Sequence, residues 1–175
     1  MHRIEIETTL NEGRATVLKE LSEMSVEDLN RPRTASEHDP EKTWSYADHF
    51  IHTTLIEENW NSMFRRHIEG KPGMARSLTV DLTEESRAKL MAGIHLWTEA
   101  WADQHRGKSL GDLAAVGLAV RADTLKLLSE LTDEQLASTI PGAPWADGTV
   151  GGIMARNAGH AEMHFGYAKD GLLGQ

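Results

Sequence analysis

The chain contains no cysteine. That excludes a disulfide framework, thiolate metal ligands and a cysteine nucleophile, so any thiol chemistry must use a thiol brought from outside. No apolar run approaches the roughly 20 residues of a membrane span. The first residues, Met1-His2-Arg3-Ile4-Glu5-Ile6-Glu7, lack the apolar stretch of a signal peptide. Positive charge is in deficit, with 18 Lys and Arg against 27 Asp and Glu and a formal net charge of −9. Phosphate binding draws on clustered Lys and Arg, so this balance argues against nucleic acid and against an anionic membrane surface. The sequence therefore reads as a cytoplasmic protein with neither a nucleic-acid nor a membrane partner.

What is present is ordinary for a globular protein: 39% hydrophobic and 26% charged residues. The 175 residues fit a single domain, 1–175, with a sizeable core. The apolar periodicity is helical nearly throughout. Leu10, Arg14, Val17, Leu18, Leu21 and Met24 outline a first amphipathic helix. Ser25-x-x-Asp28 predicts a short capped turn, and residues 31–43 read as a polar loop. Ser45-x-x-Asp48 opens a second helix to about Glu69, stopped by Gly70-Lys71-Pro72-Gly73.

Residues 74–82 read as irregular. A third helix spans about 83–105, with Leu90, Ile94, Trp97 and Trp101 on one stripe that reads first as core and otherwise as a dimer surface or pocket wall. Ser109-x-x-Asp112 caps a helix to about Leu131, Thr132-x-x-Gln135 starts a short segment, and Thr149 caps a last helix to about Lys169. There is no repeat and no convincing strand. The expectation is an all-α bundle.

Histidines carry the chemistry. Along the second helix Ala47, Ile51, His52, Leu55, Ile56, Asn59 and Met63 share one face, which turns His52 inward. Along the last helix Val150, Ile153, Met154, Asn157, His160, His164 and Ala168 do the same. A lone inward histidine is most simply a core residue satisfied by a hydrogen bond. Three in a small bundle cost about 1–3 kcal/mol each if unpaired, which makes a shared partner attractive. His160 and His164, one turn apart, together with His52 offer one metal three neutral nitrogens and leave a position for water or substrate. His49 is an alternative to His52, further from the apolar stripe.

Glu162 sits two residues after His160, about 200° around the helix, and reads as solvated rather than as a general base. Asp48 reads as the capping-box partner of Ser45 before it reads as an acceptor from His52. His2, His38, His67, His95 and His105 read as surface residues. Gly151, Gly152, Ala155, Ala158, Gly159, Ala161, Gly166 and Ala168 make the last helix rich in small residues, which predicts a very close neighbouring helix that could bring His52 up to His160 and His164.

Trp44-Ser45-x-x-Asp48-x-x-x-His52, then Trp145-x-x-Gly148-Thr149-Val150, then His160-x-x-x-His164 resemble the DinB-like (damage-inducible, YfiT-type) superfamily over about residues 8–169. The resemblance implies a four-helix bundle of up-down-down-up connectivity, often dimeric, with a divalent metal on His52, His160 and His164. Zinc, nickel or iron suits such ligands. It also implies action on small molecules, in several relatives with mycothiol or bacillithiol as S-transferases or an isomerase, in others by hydrolysis or protection. Ergothioneine-forming relatives continue His-x-x-x-His-x-Glu, whereas Phe165-Gly166 follows His164 here. That departure argues against the iron oxidative role.

The sequence thus points to a metal-dependent S-transferase or hydrolase acting on a small-molecule substrate. The alternative is a non-catalytic metal-containing protein for small-molecule binding or self-protection. If the metal served structure alone, Asn59 or Asn157 would be the nearest fourth ligand.

Overall fold

The computed structural model describes residues 2–36, 39, 41–72 and 84–171. The elements are α1 (Arg3–Ser22), α2 (Val26–Asn30), β1 (Thr34–Ala35), β2 (Thr43–Trp44), α3 (Tyr46–Ile68), α4 (Glu84–His105), α5 (Leu110–Glu130), α6 (Asp133–Ala137) and α7 (Val150–Asp170). Residues 74–82 and the side chains of Leu90 and Ile94 lie outside the described residues.

The caps fall where their side chains demand them. Ser25, Ser45, Ser109, Thr132 and Thr149 each accept a hydrogen bond from a backbone N–H in the first turn of the helix that follows. Gly70, at φ 72°, takes the left-handed conformation that lets the chain leave α3. Two short strands depart from the expected loop. Thr34 pairs with Trp44 and Ala35 with Thr43, in an antiparallel ladder too short to leave a period-2 pattern in the sequence.

Side-chain pairs define the directions of the four bundle helices. Phe50 lies against Gly117, Glu57 against Arg121 and Asn61 against Thr124, so α3 and α5 run the same way. Ile6 lies against Gly151, Gly13 against Ala158 and Glu20 against Lys169, so α1 and α7 also run together. Arg121 donates to the Leu10 carbonyl and Arg3 to that of Leu128, which sets α5 against α1. The long helix α4 packs on the first half of α3, Arg106 at its end reaching Asp48 at the start of α3.

The core has two apolar regions. One gathers Ile6, Leu10, Trp60, Phe64, Leu128 and Ile153; the other gathers Val17, Leu21, Phe50, Ile51, Leu113 and Phe165. Buried Glu57 connects three helices. It receives Arg14 at 2.6 Å, Arg121 Nε at 2.7 Å and Thr124 Oγ1 at 2.7 Å. Burial pushes the Glu57 carboxyl up, but the hydrogen bonds and charge of Arg121, with the charge of Arg14, hold it below the ordinary glutamate value.

Three expectations need correcting. Trp97 is 47% exposed, so it does not belong to the core, whereas Trp101 packs partly buried on the second apolar region. His105 is buried, because its Nδ1 lies 2.8 Å from the Trp101 carbonyl one turn back and Trp101 covers its ring. The small residues of α7 mainly admit α1: a Cβ on Gly13 would stand 2.8 Å from that of Ala158, and one on Gly151 would meet Ile6 and Leu136. At these small residues the closest approaches are therefore with α1 and α6, while α3 also packs on α7 and brings His52 to His160 and His164.

Candidate metal centre

The face of α3 that follows its cap turns His49 and His52 toward α7, whose His160 and His164 stand one turn apart. The structure brings His52, His160 and His164 together, one ring nitrogen from each lying within 4.8 Å of the others. His52 and His164 are buried and His160 partly so. The Nε2 atoms of His160 and His164 are 3.1 Å apart. Two imidazole nitrogens bound tetrahedrally to one zinc stand about 3.3 Å apart, so the spacing suits a shared ion.

The donor set fits a borderline cation: three imidazoles, with no carboxylate among them. Burial pushes the His160 imidazole down to about 4, and the Arg156 charge adds to the effect. The ring is therefore neutral at pH 7, the form a metal needs. Its buried Nδ1 has no hydrogen-bond partner among the described residues, and its Nε2 faces that of His164.

His49, placed outside the apolar stripe by its spacing, is a member of this cluster and only 1% exposed. It lies a single turn from His52, which was the available signal. Its Nδ1 stands 3.1 Å from His164 Nδ1 and its Nε2 stands 2.9 Å from Thr34 Oγ1 on β1. Burial pushes its pKa down to about 4, against a weaker upward pull from Asp48. Asp48 itself is occupied elsewhere: its Oδ2 accepts from the backbone N–H and hydroxyl of Ser45, and its Oδ1 from Arg106 at 3.0 Å.

Two tryptophans flank the histidines. Trp44 packs its ring 4.9 Å from His52 and 5.2 Å from His49, and Trp60 lies 5.8 Å from His160. Trp44 donates its indole N–H to buried Glu99 on α4 at 2.9 Å. Ser36, Lys42 and Arg106 also converge on that carboxylate. Nothing in the spacing of Glu99 announces this role. Glu162 is exposed on the opposite side of α7, as its position on the helix predicts.

A cleft of about 310 Å³ lined by Thr34, Ala35, His49, Tyr167, Asp170 and Gly171 reaches the cluster from the α7 end. A cavity of about 410 Å³ lies elsewhere, beside Asp48, His105 and Arg106, and touches none of the four clustered histidines.

A sequence model of the DinB superfamily matches residues 9–168, and the chain belongs to that superfamily. No curated protein matches the sequence. Two solved structures share the fold. The colibactin self-resistance protein ClbS, solved in complex with a double-stranded DNA, is 14% identical, with a TM-score of 0.59 over 96% of this chain and 94% of its own. An uncharacterised protein from Escherichia coli UTI89 is 17% identical, with a TM-score of 0.60 over 96% of this chain and 91% of its own.

The ClbS complex overturns the exclusion of nucleic acid drawn from net charge. A chain of this fold meets a DNA duplex. Net charge sums the whole surface, whereas a duplex samples one face, so a total of −9 does not decide the matter. As to membranes, no helix among the described residues is long and apolar enough to cross one.

Proposed function

We propose that the protein is a metal-dependent enzyme acting on small molecules, with His52, His160 and His164 as the metal ligands. The observation that carries this is the convergence of three ring nitrogens within 4.8 Å, without a carboxylate. A zinc, nickel or iron ion held there supplies Lewis acidity, which lowers the pKa of an added thiol or water and makes it a nucleophile at neutral pH.

The chain's own residues supply placement and shelter. His160 and His164 present two nitrogens from successive turns of one rigid helix, and His52 presents the third from α3. Trp44, pinned by Glu99, and Trp60 flank the rings and wall the cluster on two sides. With no cysteine in the chain, a thiol nucleophile comes from a low-molecular-weight thiol such as mycothiol or bacillithiol. S-transfer to an electrophilic small molecule is the first reading, and metal-activated hydrolysis uses the same centre.

The test compares metal-loaded wild type with His52→Ala for conjugation of mycothiol, bacillithiol and glutathione to a bimane electrophile. Faster conjugation by the wild type supports the transferase. Equal rates with all three thiols, with metal confirmed in the wild type, remove it.

A second reading is favoured by the likeness to ClbS, a self-resistance protein. Here the metal-containing bundle protects by binding a small toxic molecule without turnover. Stoichiometric loss of an electrophile with no released product, in assays with and without a DNA duplex, separates this reading from catalysis.

A further inference from the structure

His49 is the one member of the cluster to which the metal reading gives no task. Its two ring nitrogens occupy different positions: Nδ1 is 3.1 Å from His164 Nδ1, and Nε2 is 2.9 Å from Thr34 Oγ1. His164 in turn faces His160 through Nε2, at 3.1 Å. Thr34, His49 and His164 therefore form one file that runs from the β1–β2 ladder to the three-histidine cluster.

We infer that His49 is a positioning residue that, with Thr34, sets the tautomer and ring orientation of the metal ligand His164. The inference rests on the metal reading proposed above. Once Nε2 of His164 gives its lone pair to a cation, the ring proton resides on Nδ1. That N–H donates to Nδ1 of His49, which must then be bare. The proton of His49 therefore sits on Nε2 and donates to the Thr34 hydroxyl oxygen. Each proton position follows from the one before, and only one arrangement satisfies all three residues.

The usual partner for a metal-bound histidine is a carboxylate, backbone carbonyl or water. Here the carboxylate of Asp48, next to His49 in the chain, is held by Ser45 and Arg106, and a neutral imidazole serves as the partner of His164. Such a partner orients the ligand without adding negative charge. Trp44 packs edge-on against His49, with an interplanar angle of 87°, and so fixes the plane of the relay ring. Thr34 is opposite Trp44 in the strand ladder, so one backbone pairing locates both supports.

The test measures Zn(II) affinity by chelator competition, and Co(II) absorption spectra, for wild type, His49→Ala, His49→Asn, Thr34→Val and His160→Ala. Asn places an amide oxygen where Nδ1 of His49 stands and so keeps the acceptor. His49→Ala is expected to weaken zinc binding about 10- to 100-fold, the usual cost of losing such a partner. His49→Asn should restore most of that loss, Thr34→Val should weaken binding less than His49→Ala does, and the Co(II) band positions should not change in any of the three.

Wild-type affinity in His49→Ala overturns the relay. So do equal losses in His49→Ala and His49→Asn, which mark simple packing, and a changed Co(II) spectrum, which marks His49 as a ligand. A wild-type protein that binds no zinc, or a His160→Ala variant that binds it fully, defeats the metal reading itself and the relay with it.

Discussion

His160 and His164 face each other across one turn of α7 with their Nε2 atoms 3.1 Å apart. Two imidazole nitrogens at this distance either share a proton or share a cation. We expect purified protein to carry about one divalent ion per chain, as three-ligand centres do. His160→Ala should lose most of it. Elemental analysis of the two proteins decides the matter, and full metal in the variant counts against the site.

Glu57 anchors Arg14, Arg121 and Thr124 inside the bundle. Glu57→Leu leaves two buried guanidinium groups without their carboxylate. Breaking a buried pair in this way costs about 3–5 kcal/mol. Urea unfolding followed by circular dichroism should show a loss of that size. A loss below about 1 kcal/mol would mean that water reaches the arginines, as at an exposed pair.

Gly13 admits α7, and a Cβ there would press on that of Ala158 at 2.8 Å. Gly13→Ala gains about 1 kcal/mol of helix propensity. Overpacking costs about 1–3 kcal/mol, and the nearest atoms belong to a rigid helix rather than to a flexible side-chain end. The net effect should be destabilisation, read as a lowered Tm. A raised Tm would show that the two helices separate at little cost.

The metal-free protein should lose stability as the pH falls from 6.5 to 4. His49 and His160 have folded pKa values lowered from 6.5 to about 4 by burial. In that window the unfolded chain binds more protons than the native one, so stability falls with falling pH. The slope is at most about 1.4 kcal/mol per pH unit for each histidine. Glu57, also lowered, adds to the loss as the pH falls below its ordinary value of 4.5. Denaturant midpoints at pH 7, 6 and 5 in the presence of a chelator check this, and His49→Gln should flatten the dependence. A flat profile in the wild type would show that protons reach both rings in the native state.

Local rules made most of the fold legible. Ser45, Ser109, Thr132 and Thr149 cap the helices that their spacing predicts, because a cap needs only a side-chain oxygen and the next backbone turn. The inward faces of α3 and α7 were readable for the same reason: a helix of known start has a known azimuth at every residue. His52, His160 and His164 could therefore be picked out by number. The role of Asp48 as a cap partner is legible too, since Ser45, whose N–H and hydroxyl it accepts from, is only three residues away.

What failed involved partners distant in sequence. The ladder of Thr34 with Trp44 is two residues long, and such a segment has no periodicity to read. The angle of His49 from the apolar stripe makes it only the alternative to His52, yet it is buried because β1 and α7 cover it. Nothing near Glu99 in the sequence of α4 marks it as the carboxylate that Trp44, Ser36 and Arg106 meet. The small residues of α7 announced a close helix but could not say which, and the structure assigns that contact chiefly to α1. By itself the sequence determined the helices, their caps and the three inward histidines, because each depends on neighbours within a turn or two. Only the tertiary structure decided which faces meet and which polar groups end up buried together, because those depend on packing between segments that the chain does not place side by side.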